Sequence, residues 1–96
     1  MDPERSDILI ADVVEATAGR DLGKLFFVIS TENEYLLLAN GKDRTLEKPK
    51  RKKRKHVRKV LRPETRVAVK LASGNKVLNS ELRRDLAFLA RENASK

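Results

Sequence analysis

The residues best equipped for chemistry in this chain are cations. Lys48, Lys50, Arg51, Lys52, Lys53, Arg54 and Lys55 crowd into the stretch KPKRKKRKH, which ends at His56. Glu47 is the only acid beside them, so neighbouring carboxylates cannot account for the charge. Such a run repels itself, and an anionic ligand relieves that repulsion. A polyanion is the natural match, because each neutralised phosphate releases condensed counterions. Residues 42–62 hold twelve Lys/Arg against two acids, a balance of +10, while the other 75 residues hold ten bases and twelve acids. A nearly neutral body thus carries one intensely basic segment.

Other chemistries find little support. His56 is the only histidine and cysteine is absent, which leaves no clustered ligands for a metal and no thiol nucleophile. GRDLGK ends like a phosphate-binding loop. That loop needs a glycine five residues before Gly23 and Ser or Thr after Lys24, where this chain has Ala18 and Leu25. We therefore expect no catalytic residue, no metal and no cofactor. The lack of cysteine fits a reducing compartment. The acidic start MDPERSDILIADVV does not resemble a secretory signal, and LFFVI and LLLA are too short to span a bilayer. A cytoplasmic protein that avoids membranes is expected.

The elements that must position these cations are mostly strands. DVVEATA leads into the glycine-bearing turn GRDLG, and KLFFVIST follows as a largely apolar strand. ENE makes a second turn before YLLLA. Asn40-Gly41 then reads as a two-residue hairpin turn with KDRTLE as the returning strand. Residues 12–47 are predicted to be a four-stranded meander, the basic run a connecting loop outside the core, and HVRKVL a short fifth strand. RPETRVAVKLASGN could be strand or helix. Pro63, the Val67–Leu71 spacing and Gly74 favour a helix. NSELRRDLAFLAREN is a clearer helix, with Asn79 or Ser80 as its cap and Leu82, Leu86 and Leu89 on one stripe. Closing so few strands into a small barrel protects their edges.

DVVEATAGRDLGKLFFVIS resembles the KOW motif of ribosomal and transcription-associated proteins, the matching turn residues being Gly19, Arg20, Asp21, Gly23 and Lys24. EYLLLANGKDRTLEKPKRKKRKH resembles the large-subunit ribosomal protein fourteen family of the archaeal and eukaryotic type, and still more its short bacterial relatives. The match covers about residues 8–60. It departs at Leu22, where lysine is common, and at Ala11, where glycine is frequent before the first strand. The resemblance implies an SH3-like β-barrel that binds RNA, commonly ribosomal RNA.

The expected architecture is mainly β: an SH3-like antiparallel barrel over residues 8–61 with a basic loop at 48–56, and a C-terminal helical extension over 62–93. The expected partner is RNA, with a ribosome as its setting and a monomer as the free state. The candidate RNA contacts are Arg20 and Lys24 at the turn and the cations of the basic run, joined by Lys42, Arg44, His56 and Arg58. Asp21 is expected to bond back to the turn backbone and hold the bend. Tyr35, Phe26 and Phe27 are candidate base platforms, although aromatics in apolar strands are more often core. Phe26 and Phe27 fall on opposite faces of their strand. The rival expectation is a protein-interaction module docking on RNA polymerase or another translation or transcription factor, with the Leu82/Leu86/Leu89 stripe as its exposed partner surface.

Overall fold

The computed structural model describes residues 7–94, so the first six residues of the acidic start read as no secretory signal lie outside the described residues. Five antiparallel strands form one sheet in the order β4-β3-β2-β1-β5: β1 Val13–Ala16, β2 Leu25–Glu32, β3 Tyr35–Ala39, β4 Lys50–Lys53 and β5 Val57–Leu61. A single 3₁₀ turn, Arg54–His56, carries the chain from one edge strand to the other. The result is a small SH3-like barrel followed by two helices, α1 Arg66–Ala72 and α2 Asn79–Ala94. Among the described residues no helix is long and apolar enough to cross a membrane.

The sheet is covered on both faces, and the alternation of side chains along β1 and β2 explains how. Val14, Phe26, Val28, Leu36, Leu38 and Val57 fill the barrel interior together with Ile8 and Ala16. Val13, Phe27 and Ala39 point the other way, into a second cluster built with Val67, Val77, Leu82, Leu86 and Leu89. The register sets this up by pairing Val13 with Phe27 and Val14 with Phe26 across the two strands. Phe26 and Phe27 are both fully buried, one in each cluster, so neither is a base platform. The leucine stripe of α2 is buried against the sheet; it is core, not the exposed partner surface the rival expectation needed.

The basic run is not a loop. Residues 42–47 form bends instead of a returning strand, and the fourth strand is Lys50–Lys53 itself, paired with β3 through Leu38↔Lys50 to Tyr35↔Lys53. Four consecutive cations hold a strand because their long aliphatic stems can lie along apolar neighbours while the charged heads reach outward. Lys52 takes this furthest. It sits opposite Leu36, is buried, and its ammonium donates to the Ala18 carbonyl at 2.7 Å.

The fifth strand and both helices form where the sequence places them. Thr65 caps α1 by accepting from the Ala68 amide at 3.2 Å, and its hydroxyl donates to Asp85 of α2. The first turn of α2 is closed by Glu81, which accepts from the Leu78 amide at 2.9 Å. Asn79, expected as a cap, instead fastens the 40–48 loop: it accepts from the Leu46 amide and donates to Glu47, both at 2.8 Å.

Entry into β1 carries a strained residue. Asp12 N–H donates to the Leu9 carbonyl, closing a turn in which Ala11 has φ 77°. Positive φ at the third residue of a type II turn favours glycine. That is the position where the resemblance led us to expect one. Asp12 itself is buried and binds Arg62 through both oxygens, at 2.8 and 3.1 Å, tying the start of β1 to the end of β5.

Candidate nucleic-acid interface

The Gly19–Lys24 turn is shaped by backbone requirements. Gly19 and Gly23 have φ of 82° and 86°, a region that is costly for residues with a Cβ. Leu22 N–H donates to the Gly19 carbonyl and Lys24 N–H to the Asp21 carbonyl, which folds the tip back on itself. Leu22 stands well exposed at 65%. The Asp21 side chain does not bond the turn backbone as expected. It is buried and accepts from Arg44 at 3.0 Å, with the Lys24 ammonium at 3.6 Å, so the bend is held by a tie to the 40–48 loop.

Two contacts set this turn beside the basic segment. Thr17 N–H donates to the His56 carbonyl at 2.8 Å, and Lys52 reaches the Ala18 carbonyl. The tip carrying Arg20 and the stretch from β4 through the 3₁₀ turn are therefore neighbours. Residues about thirty positions apart in sequence form one basic surface.

Of the thirteen candidates, twelve divide into two kinds. Arg51 is paired with Glu32 at 3.1 Å, Arg58 with Glu15 at 2.7 Å, Arg44 with Asp21, and Lys24 with Asp21 and Asp43. Lys52 is committed to Ala18, and Arg54 donates to the Asn33 and Ile8 carbonyls at 2.6 and 3.3 Å. Arg20, Lys42, Lys48, Lys50, Lys53 and Lys55 have no side-chain hydrogen bond or ion pair among the described residues. These are the charges that remain available to a ligand. Lys42 stands somewhat apart, lining a groove with Lys24, Asp43 and Arg83 beside α2. His56 ends the 3₁₀ turn and contributes its carbonyl to Thr17, without a metal-ligand cluster among the described residues.

Lys24 belongs to a small network. Its ammonium donates to Asp43, which also accepts from Asn40 at 2.8 Å. These two hydrogen bonds hold the Asp43 carboxyl down at about 2, and the same contact with Asp43 raises Lys24 above its ordinary value. A carboxyl whose pKa drops on folding stabilises the protein fully above its unfolded value, about 3.9, and loses that contribution as pH falls through its folded value. The Asp43→Asn variant should therefore lose part of the slope of stability against pH between about 4 and 2, measured by denaturant melts across that range. The side chain is 43% exposed, so solvent screening limits the effect to less than about 1 kcal/mol.

One arrangement was not visible in the sequence. The Arg51 guanidinium lies over the Tyr35 ring, 3.7 Å from its centroid. Only the β3–β4 register brings the two side chains together, and a strand made of cations offers no hydrophobic alternation from which to infer that register.

The chain was compared with protein-family models and with curated proteins, and it matches none of them.

Proposed function

We propose that this chain is a non-enzymatic, cytoplasmic RNA-binding protein of the KOW type, acting on ribosomal or other structured RNA. The observation that carries this reading is the junction of the Arg20 turn with the β4–3₁₀ segment, where several cations lack internal partners. Lys48, Lys50, Lys53 and Lys55 supply phosphate contacts from one continuous strand-and-turn segment, and Arg20 adds one from the adjoining tip. Such contacts fix orientation on an RNA without reading its sequence. Ordered backbone beneath them lowers the entropic cost of binding relative to a floppy tail.

The reading makes a quantitative demand. With about five phosphates engaged, log affinity should fall against log salt with a slope on the order of −3 to −4, at about −0.7 per contact for single strands. Fluorescence anisotropy with a labelled, structured RNA over a series of salt concentrations measures it directly. A flat response would reject electrostatic capture. Equal affinity for duplex DNA in the same assay would reject RNA as the preferred partner.

A further inference from the structure

From the stacked pair at the β3–β4 edge we infer a nucleobase platform: an unpaired base of the bound RNA stacks on the outer face of the Arg51 guanidinium, whose inner face rests on Tyr35. The inference rests on the RNA-binding reading and says which part of the ligand meets which residue.

The geometry separates Arg51 from the lysines around it. Its inner face is occupied by Tyr35 at 3.7 Å, and its Nε donates to Glu32 at 3.1 Å. Ring and carboxylate together hold the guanidinium plane before any ligand arrives. The side chain is still 58% exposed, so its other face is open to solvent. Glu32 also makes this a poor seat for phosphate, since a carboxylate beside the cation repels a second anion. What remains attractive is a flat, weakly hydrated, electron-poor surface, which suits the π-face of a base. Lys53 lies two residues along on the same face of β4, about 7 Å away at the strand repeat. Without a carboxylate partner of its own, it can take the phosphate attached to the stacked nucleoside.

The arrangement also explains how so few aromatics can serve an RNA surface. The chain has one tyrosine and no tryptophan, and its core claims Phe26 and Phe27. Placing a guanidinium over Tyr35 extends that ring outward by one layer, whereas the other exposed ring, Phe88, stands on α2 away from the basic strand. Recognition would then be indifferent to base identity but sensitive to whether a base is unpaired. It would favour loops and bulges over continuous duplex.

The test uses two labelled strands of equal length, an oligoadenylate and an abasic sugar–phosphate chain, with the full-length protein and its Arg51→Lys variant. The variant keeps the charge and removes the plane. Its thermal melt should match the parent, because an exposed Arg–Glu pair adds little to stability. Wild type should bind oligoadenylate about five- to a hundredfold more tightly than the abasic strand, the range of a single base–platform stack. Arg51→Lys should lose most of that preference while binding the abasic strand unchanged. Tyr35 is the only source of tyrosine emission, and oligoadenylate, not the abasic strand, should quench it. Equal binding of both strands by wild type would overturn the platform and leave phosphate capture standing. An undiminished preference in Arg51→Lys would overturn it as well. If neither strand bound at all, the RNA reading on which the platform rests would fall instead.

Discussion

Gly41→Ala should destabilise this protein by about 2–5 kcal/mol, more than any other single glycine substitution in the barrel. Two separate costs add. Gly41 has φ 79°, where a residue with a Cβ loses roughly 1–2 kcal/mol. A Cβ built there would also lie 2.2 Å from the Asn79 carbonyl oxygen and 3.1 Å from the Leu82 Cβ. Neither neighbour can yield cheaply. Asn79 begins α2 and its side chain holds Leu46 and Glu47, Leu82 is fully buried, and Arg83 donates to the Gly41 carbonyl at 2.6 Å. Forcing a helix start away from such a set of contacts costs a further 1–3 kcal/mol or more. Gly23 supplies the control, since it has φ 86° but open space where its Cβ would stand. Urea melts should show the midpoint of Gly41→Ala falling far below that of Gly23→Ala. Equal losses at the two positions would mean that φ alone matters and that the loop-to-helix contact contributes nothing.

The same glycine shows where sequence reasoning stops. Asn40-Gly41 carries the strongest local hairpin signal, and a turn does begin there. However, the Asn40 side chain accepts from the amides of Lys42 and Arg44, both at 3.0 Å, and Arg44 O receives the Asn40 and Gly41 amides. The chain is thereby led into a loop that docks on α2, and no immediate return strand forms. Local chemistry fixed the bend, while a contact nearly forty residues away decided what followed it. Strands with continuous apolar runs were legible for the opposite reason: Val13–Ala16 and Leu25–Glu32 bury both faces, so their residue types record their surroundings. The helix–strand ambiguity after Pro63 was settled by packing, since Val67 and Ala68 face the α2 leucines from a helix.

For the candidate site, identity was legible and availability was not. Every cation in the basic run was visible as a charge. Which of them is occupied depends on carboxylates and carbonyls brought from elsewhere: Glu15 from β1, Glu32 from β2, Ala18 from the turn. Sequence distance hid those partners. The turn residue Lys24 looked like a phosphate ligand and proves to be bound by two carboxylates, whereas Arg20 beside it is exposed and carries no such tie among the described residues.

That division gives the last prediction, a double dissociation within a single run of basic residues. Replacing Lys48, Lys50, Lys53 and Lys55 together with Gln should leave the cooperative melt intact, or raise its midpoint slightly, because four mutually repelling charges are removed from positions without internal partners. RNA affinity should fall steeply. Counterion release at about −0.7 per contact makes each phosphate engagement worth a factor of about 4 at 0.15 M salt, so four amount to about two hundredfold, and the salt slope should shrink by about 3 units. Lys52→Ala should do the reverse. Its stem packs opposite Leu36, its ammonium bonds Ala18, and truncation should cost about 1–3 kcal/mol of stability while leaving the salt slope of the folded fraction unchanged. Substituting the whole run at once would mix these effects, since a variant that includes Lys52 loses fold and ligand together. If the four-lysine variant kept its affinity and slope, these unpaired charges would be serving only to keep the edge strand from pairing with other chains, a role that lysines on such strands are known to fill.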